Sequence, residues 1–229
     1  MQLDIETLAC RRAGRLVFAD VTASVRPGEA LLVTGRNGAG KSTLLAALAG
    51  LLRPSAGTIS LSGTGERSRR ECVHHLGHRD GLKGSLTASE NLAFAAACLG
   101  SPGLPPAEAL ARVGLARAGH LPVGYLSAGQ RRRVTLARLL VAKRPLWLLD
   151  EPTTALDQDG QAMVLALMRD HLAGGGLLIA ATHMPLPLEG SRELVLGRPS
   201  GPRAEFGMAA PVSPAGGPGP SAAAGEPGW

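Results

Sequence analysis

Aromatic side chains are scarce: the 229 residues hold 3 Phe, 2 Trp and 1 Tyr. A protein that grips nucleic acid by stacking on bases interleaves aromatics with its basic residues, so that mode is disfavoured. Cysteine is equally thin. Cys10, Cys72 and Cys98 are odd in number, far apart and include no Cys-x-x-Cys pair. That excludes a disulfide framework and points to reduced thiols in a cytoplasmic protein. No run reaches the roughly 18 consecutive apolar residues of a membrane span. The longest uncharged candidate, Asn91 to Ala107, is broken by Pro102, Pro105 and Pro106. The opening residues, Met1-Gln2-Leu3-Asp4-Ile5-Glu6, lack both the basic and the apolar segment of a secretory signal. Lysine is rare as well: of 24 basic residues only Lys41, Lys83 and Lys143 are not arginine.

What remains is a 45% hydrophobic composition, ordinary for a globular chain long enough for a sizeable core, and a net charge of +6. Such a charge suits an anionic small ligand, a nucleic acid or an anionic membrane surface, without choosing among them. Composition shifts near Pro199. The segment 199–229 holds 7 Pro and 7 Gly in 31 residues, too little apolar area to offset the entropy of ordering it, and is expected to be a disordered tail. Residues 1–198 are expected to form one α/β domain.

Within that domain strands and helices alternate. Strands are expected at Leu3 to Cys10, Leu16 to Val25, Ala30 to Thr34, Thr58 to Leu61, Val73 to Leu76, Leu146 to Leu149 and Leu177 to Ala181. Fully apolar runs such as Leu146-Trp147-Leu148-Leu149 suit strands buried on both faces. Helical patterns cover Lys41 to Leu52 and Arg131 to Ala142, and Thr87 to about Leu115 reads as helices joined by a Pro-rich loop at 101–106. The expected architecture is a largely parallel sheet with an inserted helical lobe at about 84–126.

Gly35-Arg36-Asn37-Gly38-Ala39-Gly40-Lys41-Ser42, followed by Thr43, fits the phosphate-loop pattern G-x-x-x-x-G-K-[ST], between a predicted strand and a predicted helix as the motif requires. Its glycines reach backbone angles closed to other residues, so successive N–H groups can wrap a phosphate at a helix N-terminus. Lys41 would reach the β- and γ-phosphates, and Ser42 would offer its hydroxyl to Mg²⁺. Asp150 ends an apolar strand and is the matching candidate for a second Mg²⁺ ligand. Glu151 follows, expected to face the other way and to orient or deprotonate an attacking water. His183, after the apolar run Leu177 to Thr182, is a candidate donor to developing charge on a phosphate.

Leu126-Ser127-Ala128-Gly129-Gln130, the helix-like run after it, and Asp150-Glu151-Pro152-Thr153 together resemble the signature and second acidic motif of ABC-type ATPases. Thr154-Ala155-Leu156-Asp157 is similar to that family's D-loop, and His183 to its switch histidine. The resemblance covers residues 1 to about 198. It implies a phosphate-loop α/β ATPase domain with a mixed, largely parallel sheet, an antiparallel N-terminal β-subdomain and a short helical subdomain. It also implies two copies that sandwich two ATP molecules, with Ser127 and Gly129 of one copy meeting the γ-phosphate held by Lys41 of the other. Two departures stand out. The family's glutamine after the strand that follows the phosphate-loop helix is missing, and His78 occupies the aligned place. The family's adenine-stacking aromatic is replaced by Arg11 or Arg12, whose guanidinium can stack instead.

Leu76-Gly77-His78-Arg79-Asp80-Gly81-Leu82-Lys83 and Leu86-Thr87-Ala88-Ser89-Glu90-Asn91-Leu92 further resemble the ATP-binding subunits of bacterial cytochrome c maturation transporters. That resemblance implies integral-membrane transporter subunits as partners, attachment at the cytoplasmic face of the inner membrane, and coupling of ATP hydrolysis to haem export or to release of a haem-loaded chaperone. Competing readings are another ABC transporter's ATPase, a soluble ABC-type ATPase, or a nucleotide sensor without useful turnover. A metal site at His74, His75 and His78 is disfavoured, since this spacing on a strand does not converge three nitrogens. Arg131, Arg132 and Arg133 are expected to serve phosphates and acidic partners rather than nucleic acid.

Overall fold

The structure, a computed structural model, describes residues 1–100 and 102–197, so the expected tail at 199–229 lies outside the described residues. Two sheets carry the chain. Gln2–Arg12 (β1) pairs antiparallel with Arg15–Val25 (β2) on one side and Ala56–Ser62 (β4) on the other. The hairpin turns at Ala13 and Gly14, with φ of 47° and 76°, the left-handed pair that a two-residue hairpin needs. The second sheet has the order β5-β6-β7-β3-β8, formed by Val73–Leu76 (β5), Leu146–Asp150 (β6), Leu177–Ala181 (β7), Ala30–Thr34 (β3) and Arg192–Val195 (β8). All its pairings are parallel, so antiparallel pairing among the named strands is confined to the first sheet.

Alternation along the parallel strands divides the core in two. Val73, Leu146, Leu148, Leu177, Ile179, Leu31 and Val33 face Lys41–Leu48 (α1) and the antiparallel sheet. Leu76, Trp147, Leu149, Leu178 and Ala180 face the other helices. These are Ala88–Leu99 (α3), Pro106–Arg112 (α4), Ala128–Ala137 (α5) and Gln158–Ala173 (α6), while the short Arg69–Cys72 (α2) leads into β5. Strands β6 and β7 are buried at every position, as their continuous apolar runs require. No helix of the described residues is long and apolar enough to cross a membrane.

Several boundaries differ from the sequence expectation for local reasons. Helix α1 stops at Leu48 rather than Leu52, because Gly50 adopts φ 73° and turns the chain away. Helix α5 starts at Ala128 rather than Arg131. Ser127 caps it: its Oγ accepts from the Gln130 N–H at 3.1 Å, and its own N–H donates to Gln130 Oε1 at 2.9 Å. Helix α6 and edge strand β8 were not expected. The α6 signal is nevertheless present, since Gly160, Val164, Leu167 and Met168 are its buried residues at helical spacing. Strand β8 exposes three of its four residues and carries no alternation to read.

The second half of loop 77–87 is tied to α3 by one side chain. Asn91, buried in α3, accepts from the Lys83 N–H at 2.8 Å and donates to the carbonyls of Lys83, Leu86 and Thr87 at 3.0, 3.2 and 2.9 Å.

Candidate nucleotide site

The carboxyl ends of parallel strands are where their backbone groups open towards a following loop or helix, and ligands collect there. Four strands of the parallel sheet deliver candidate residues to that edge. Strand β3 runs into the phosphate loop, β6 ends on Asp150, β7 leads to Thr182 and His183, and β5 leads to His78. A cavity of about 480 Å³ is lined by Val17, Asn37, Gly38, Gly40, Lys41, Ser42, Thr43, His78, Asp150, Glu151, Thr154 and His183. Residues separated by almost 170 positions in sequence thus share one wall.

Lys41 is buried, and its ammonium donates to the Gly35 carbonyl at 2.8 Å, closing the loop on itself. Two glycines are dictated by geometry. Gly40 has φ 103°, and a Cβ there would stand 2.6 Å from Val17 Cγ1; Gly35 has φ 133°, and a Cβ would strike the Leu196 carbonyl. Gly35, Arg36 and Ala39 face a separate small hollow with Val195, Leu196 and Gly197, so they shape the loop from its outer side.

Asp150 is buried, and its carboxylate has no hydrogen bond or ion pair among the described residues. A buried, unpartnered carboxylate and the Ser42 hydroxyl in one cavity are hard oxygen donors, the chemistry that Mg²⁺ selects. Glu151 corrects the expectation that it faces the opposite way. Its φ is 47°, a left-handed conformation rare outside glycine, so strand alternation ends at Asp150 and both carboxylates enter the same cavity. Glu151 Oε2 accepts from His183 Nδ1 at 2.8 Å.

The signature residues lie elsewhere in this chain. Ser127, Gly129 and Gln130 line a second cavity of about 380 Å³ with Gly114, Leu115, Arg133, Ala155 and Asp157. Leu126 is buried beneath them, while Ser127, Ala128 and Gln130 are exposed. Asp157 caps α6 by accepting from the Gly160 N–H at 2.9 Å and pairs with Arg133 at 2.9 Å; both hold its carboxyl below the usual range.

A family model described as ABC transporter matches residues 18–154, more than half of the chain. The chain belongs to the ABC transporter family. Among relatives, the cytochrome c biogenesis ATP-binding export protein CcmA of Bradyrhizobium diazoefficiens is 57% identical over 198 residues, covering 86% of this chain and 98% of that one. The protein of the same name from Agrobacterium fabrum is 50% identical, covering 85% and 94%. A solved ABC transporter ATP-binding protein from Pyrococcus furiosus shares the fold with a TM-score of 0.75 at 24% identity, over 86% of this chain and 98% of that one. A second solved structure, an ATP-binding subunit of an ABC transporter, gives 0.73 at 29% identity, with 80% of each chain covered. This chain is therefore a CcmA-like ABC ATP-binding protein and an ATP-hydrolysing transport ATPase.

Of the sequence candidates, Asn37, Gly38, Gly40 to Thr43, His78, Asp150, Glu151 and His183 share the phosphate cavity, whereas Ser127, Gly129, Gln130 and Asp157 line the second one. Arg11 and Arg12 are exposed on the hairpin outside the phosphate cavity, where only Val17 of β2 lines the wall. The signature arginines are occupied within their own chain: Arg131 donates to the Leu126 carbonyl, Arg133 pairs with Asp157, and Arg132 is buried. Sequence reasoning missed Val17 and the buried position of Arg132. For Arg132 a signal exists, since it sits in helical phase with the buried Thr135, Leu136 and Leu139. His74 and His75 are strand residues, and buried His74 shares a hydrogen bond with the Ala142 carbonyl at 2.8 Å.

Proposed function

We propose that this chain is the ATPase subunit of a cytochrome c maturation transporter, working as two copies bound to integral-membrane subunits at the cytoplasmic face of a bacterial inner membrane. The names of its relatives, which are cytochrome c biogenesis export proteins over nearly their whole length, support the pathway. Hydrolysis would be coupled to haem export or to release of a haem-loaded chaperone. Residues 1–198 would be the ATP-binding unit, with the helical lobe at about 84–126.

The observation that carries the paired arrangement is the separation of two half-sites. The phosphate loop, Asp150, Glu151 and His183 line one cavity, while exposed Ser127 and half-buried Gly129 line another with no residue in common. A hydroxyl and N–H groups at a helix N-terminus are suited to an anion, and in this reading the γ-phosphate bound to a second copy supplies it. Within each site Lys41 and the loop N–H groups would hold the phosphates, Glu151 would orient the attacking water and accept its proton, and His183 would hold the Glu151 carboxylate in place. Ser42 and Asp150 would hold Mg²⁺, which when bound neutralises phosphate charge.

Exposed aromatics on the helical lobe support docking of a membrane partner. Lys83 lies 4.8 Å over the exposed Phe94 ring, and the neighbouring Gly84 carbonyl accepts from Gly124, next to Tyr125, which is 85% exposed. In a chain with only six aromatics, two stand open on this one lobe. Glu151→Gln is expected to trap an ATP-bound dimer, read by light scattering in Mg-ATP, and a variant that stays monomeric overturns the sandwich. Co-purification from membranes identifies the partners. A Lys41→Ala strain with normal holocytochrome c overturns the pathway assignment.

A further inference from the structure

Arg132 projects from the first turns of α5 into the interior, and 5% of its surface remains exposed. Its Nη2 donates to the Asp150 carbonyl at 3.0 Å and to the Glu151 carbonyl at 2.8 Å. Nη1 reaches the Gly77 carbonyl at 3.5 Å and stands 3.9 Å from the Asp80 carboxylate. Its Nε is buried without a partner among the described residues. Burial depresses the guanidinium's affinity for its proton, opposed by the carboxylates of Asp80, Asp150 and Glu151. An apolar side chain of similar volume would fill this place without that desolvation cost, so packing does not account for an arginine here.

What the guanidinium adds is a grip on main chain that packing cannot supply. It holds the ends of both β5 and β6 at once. The two carbonyls it grips most closely belong to the cavity's carboxylate residues, and one of them, Glu151, is in the left-handed conformation that brings its side chain to His183. Such backbone persists where surrounding groups over-determine it. The same arginine is five residues from Ser127, the cap of its helix and the exposed edge of the second cavity.

We propose that Arg132 is the positioning residue of the hydrolytic site, fixing the Asp150–Glu151 backbone so that the Glu151 carboxylate stands ready in the phosphate cavity. Because it rides on α5, engagement of Ser127 by a nucleotide on a second copy is passed through the same guanidinium to Glu151 and to the Gly77–Asp80 loop that carries His78. The first role rests on one chain's geometry; the second rests on the paired arrangement proposed above.

The test compares wild-type full-length chain with Arg132→Met, which keeps volume without donors, and Arg132→Lys, which keeps charge without the fork. Steady-state ATP turnover, binding of a fluorescent ATP analogue and thermal unfolding are measured on each. Arg132→Met is expected to lower kcat by roughly 10- to 100-fold, as small misplacements of reacting groups do, while analogue binding stays within about threefold. Arg132→Lys is expected to recover part of kcat, and the Hill coefficient for ATP is expected to fall towards one in the Met variant. A folded Met variant with wild-type kcat, or one that loses binding in step with kcat, overturns the positioning role. Should the Met variant not fold, a folded Lys variant with wild-type kcat overturns it equally. A wild-type chain with no cooperativity and no concentration dependence of turnover defeats the paired reading instead, leaving the kcat comparison to decide the first role.

Discussion

Acidification from pH 7.5 to pH 5 is expected to destabilise this protein through two imidazoles, buried His74 and half-buried His171. His74 and His171 both have pKa values lowered from 6.5 to about 4, chiefly because burial disfavours the cation. Each ring shares a hydrogen bond with a carbonyl, His74 with Ala142 at 2.8 Å and His171 with Leu177 at 3.1 Å. A carbonyl only accepts, so Nε2 carries the proton; that bond by itself favours the cation, and burial outweighs it. His171 also stacks on Trp147 with centroids 3.9 Å apart. A depressed pKa means that the unfolded chain takes up protons first. Stability is therefore complete above about pH 6.5 and drains away as the pH falls towards 4. At pH 5 each ring accounts for about 2 kcal/mol of loss, and the pair for about 4. Domains hold only about 5–15 kcal/mol in total, so this is a large fraction. His75, also lowered mainly by burial, acts in the same direction. The carboxylates of Glu90 and Asp157, lowered from 4.5 and 3.8, contribute only below this window. Urea unfolding at pH 7.5, 6 and 5 measures the effect, with His74→Gln and His171→Gln each expected to remove about 2 kcal/mol of the pH-dependent loss. Stability that stays flat down to pH 5, or variants whose pH dependence matches the parent, would refute the reasoning.

Gly40→Ala is expected to abolish ATP-analogue binding and to cost roughly 1–3 kcal/mol of stability, because it combines a positive φ with a clash against Val17; unchanged binding in filter or fluorescence assays would count against the loop geometry. Asn91→Ala leaves the Lys83 N–H without its partner, while the three carbonyls keep their backbone donors, and should lower the unfolding free energy by about 1–3 kcal/mol, as followed by denaturant titration. His78→Gln is expected to retain more ATP turnover than His78→Ala, since an amide can replace an imidazole as a hydrogen-bonding group at the cavity wall; equal turnover in the two variants would show that His78 has no such part.

The phosphate loop and the buried strand before Asp150 were legible because each depends on neighbours in sequence, whereas the Ser127 cap that starts the signature helix at Ala128 was overlooked. Ala30 to Thr34, Val73 to Leu76 and Leu177 to Ala181 appear in the structure with the bounds expected from their apolar runs. Strand β8 was not legible, since a short exposed edge strand is specified by the Leu31 to Thr34 backbone it pairs with rather than by its own pattern. The direction of Glu151 was misread for a related reason. Alternation predicts the far face, and the left-handed turn that reverses it is held by an arginine 19 positions earlier in the chain.

By itself, then, the sequence determined the chemistry on offer: a phosphate-wrapping loop, two acidic residues at a strand end and a capped helix, all written in local spacing and backbone freedom. Only the tertiary structure decided which of those groups meet. The parallel sheet gathers the ends of β3, β5, β6 and β7 along one edge, whereas it leaves Ser127 in a separate cavity. It also converts Arg132 from a member of a basic run into a buried clamp. Long-range burial makes that difference, because a charge withdrawn from water must find its partners wherever the fold places them.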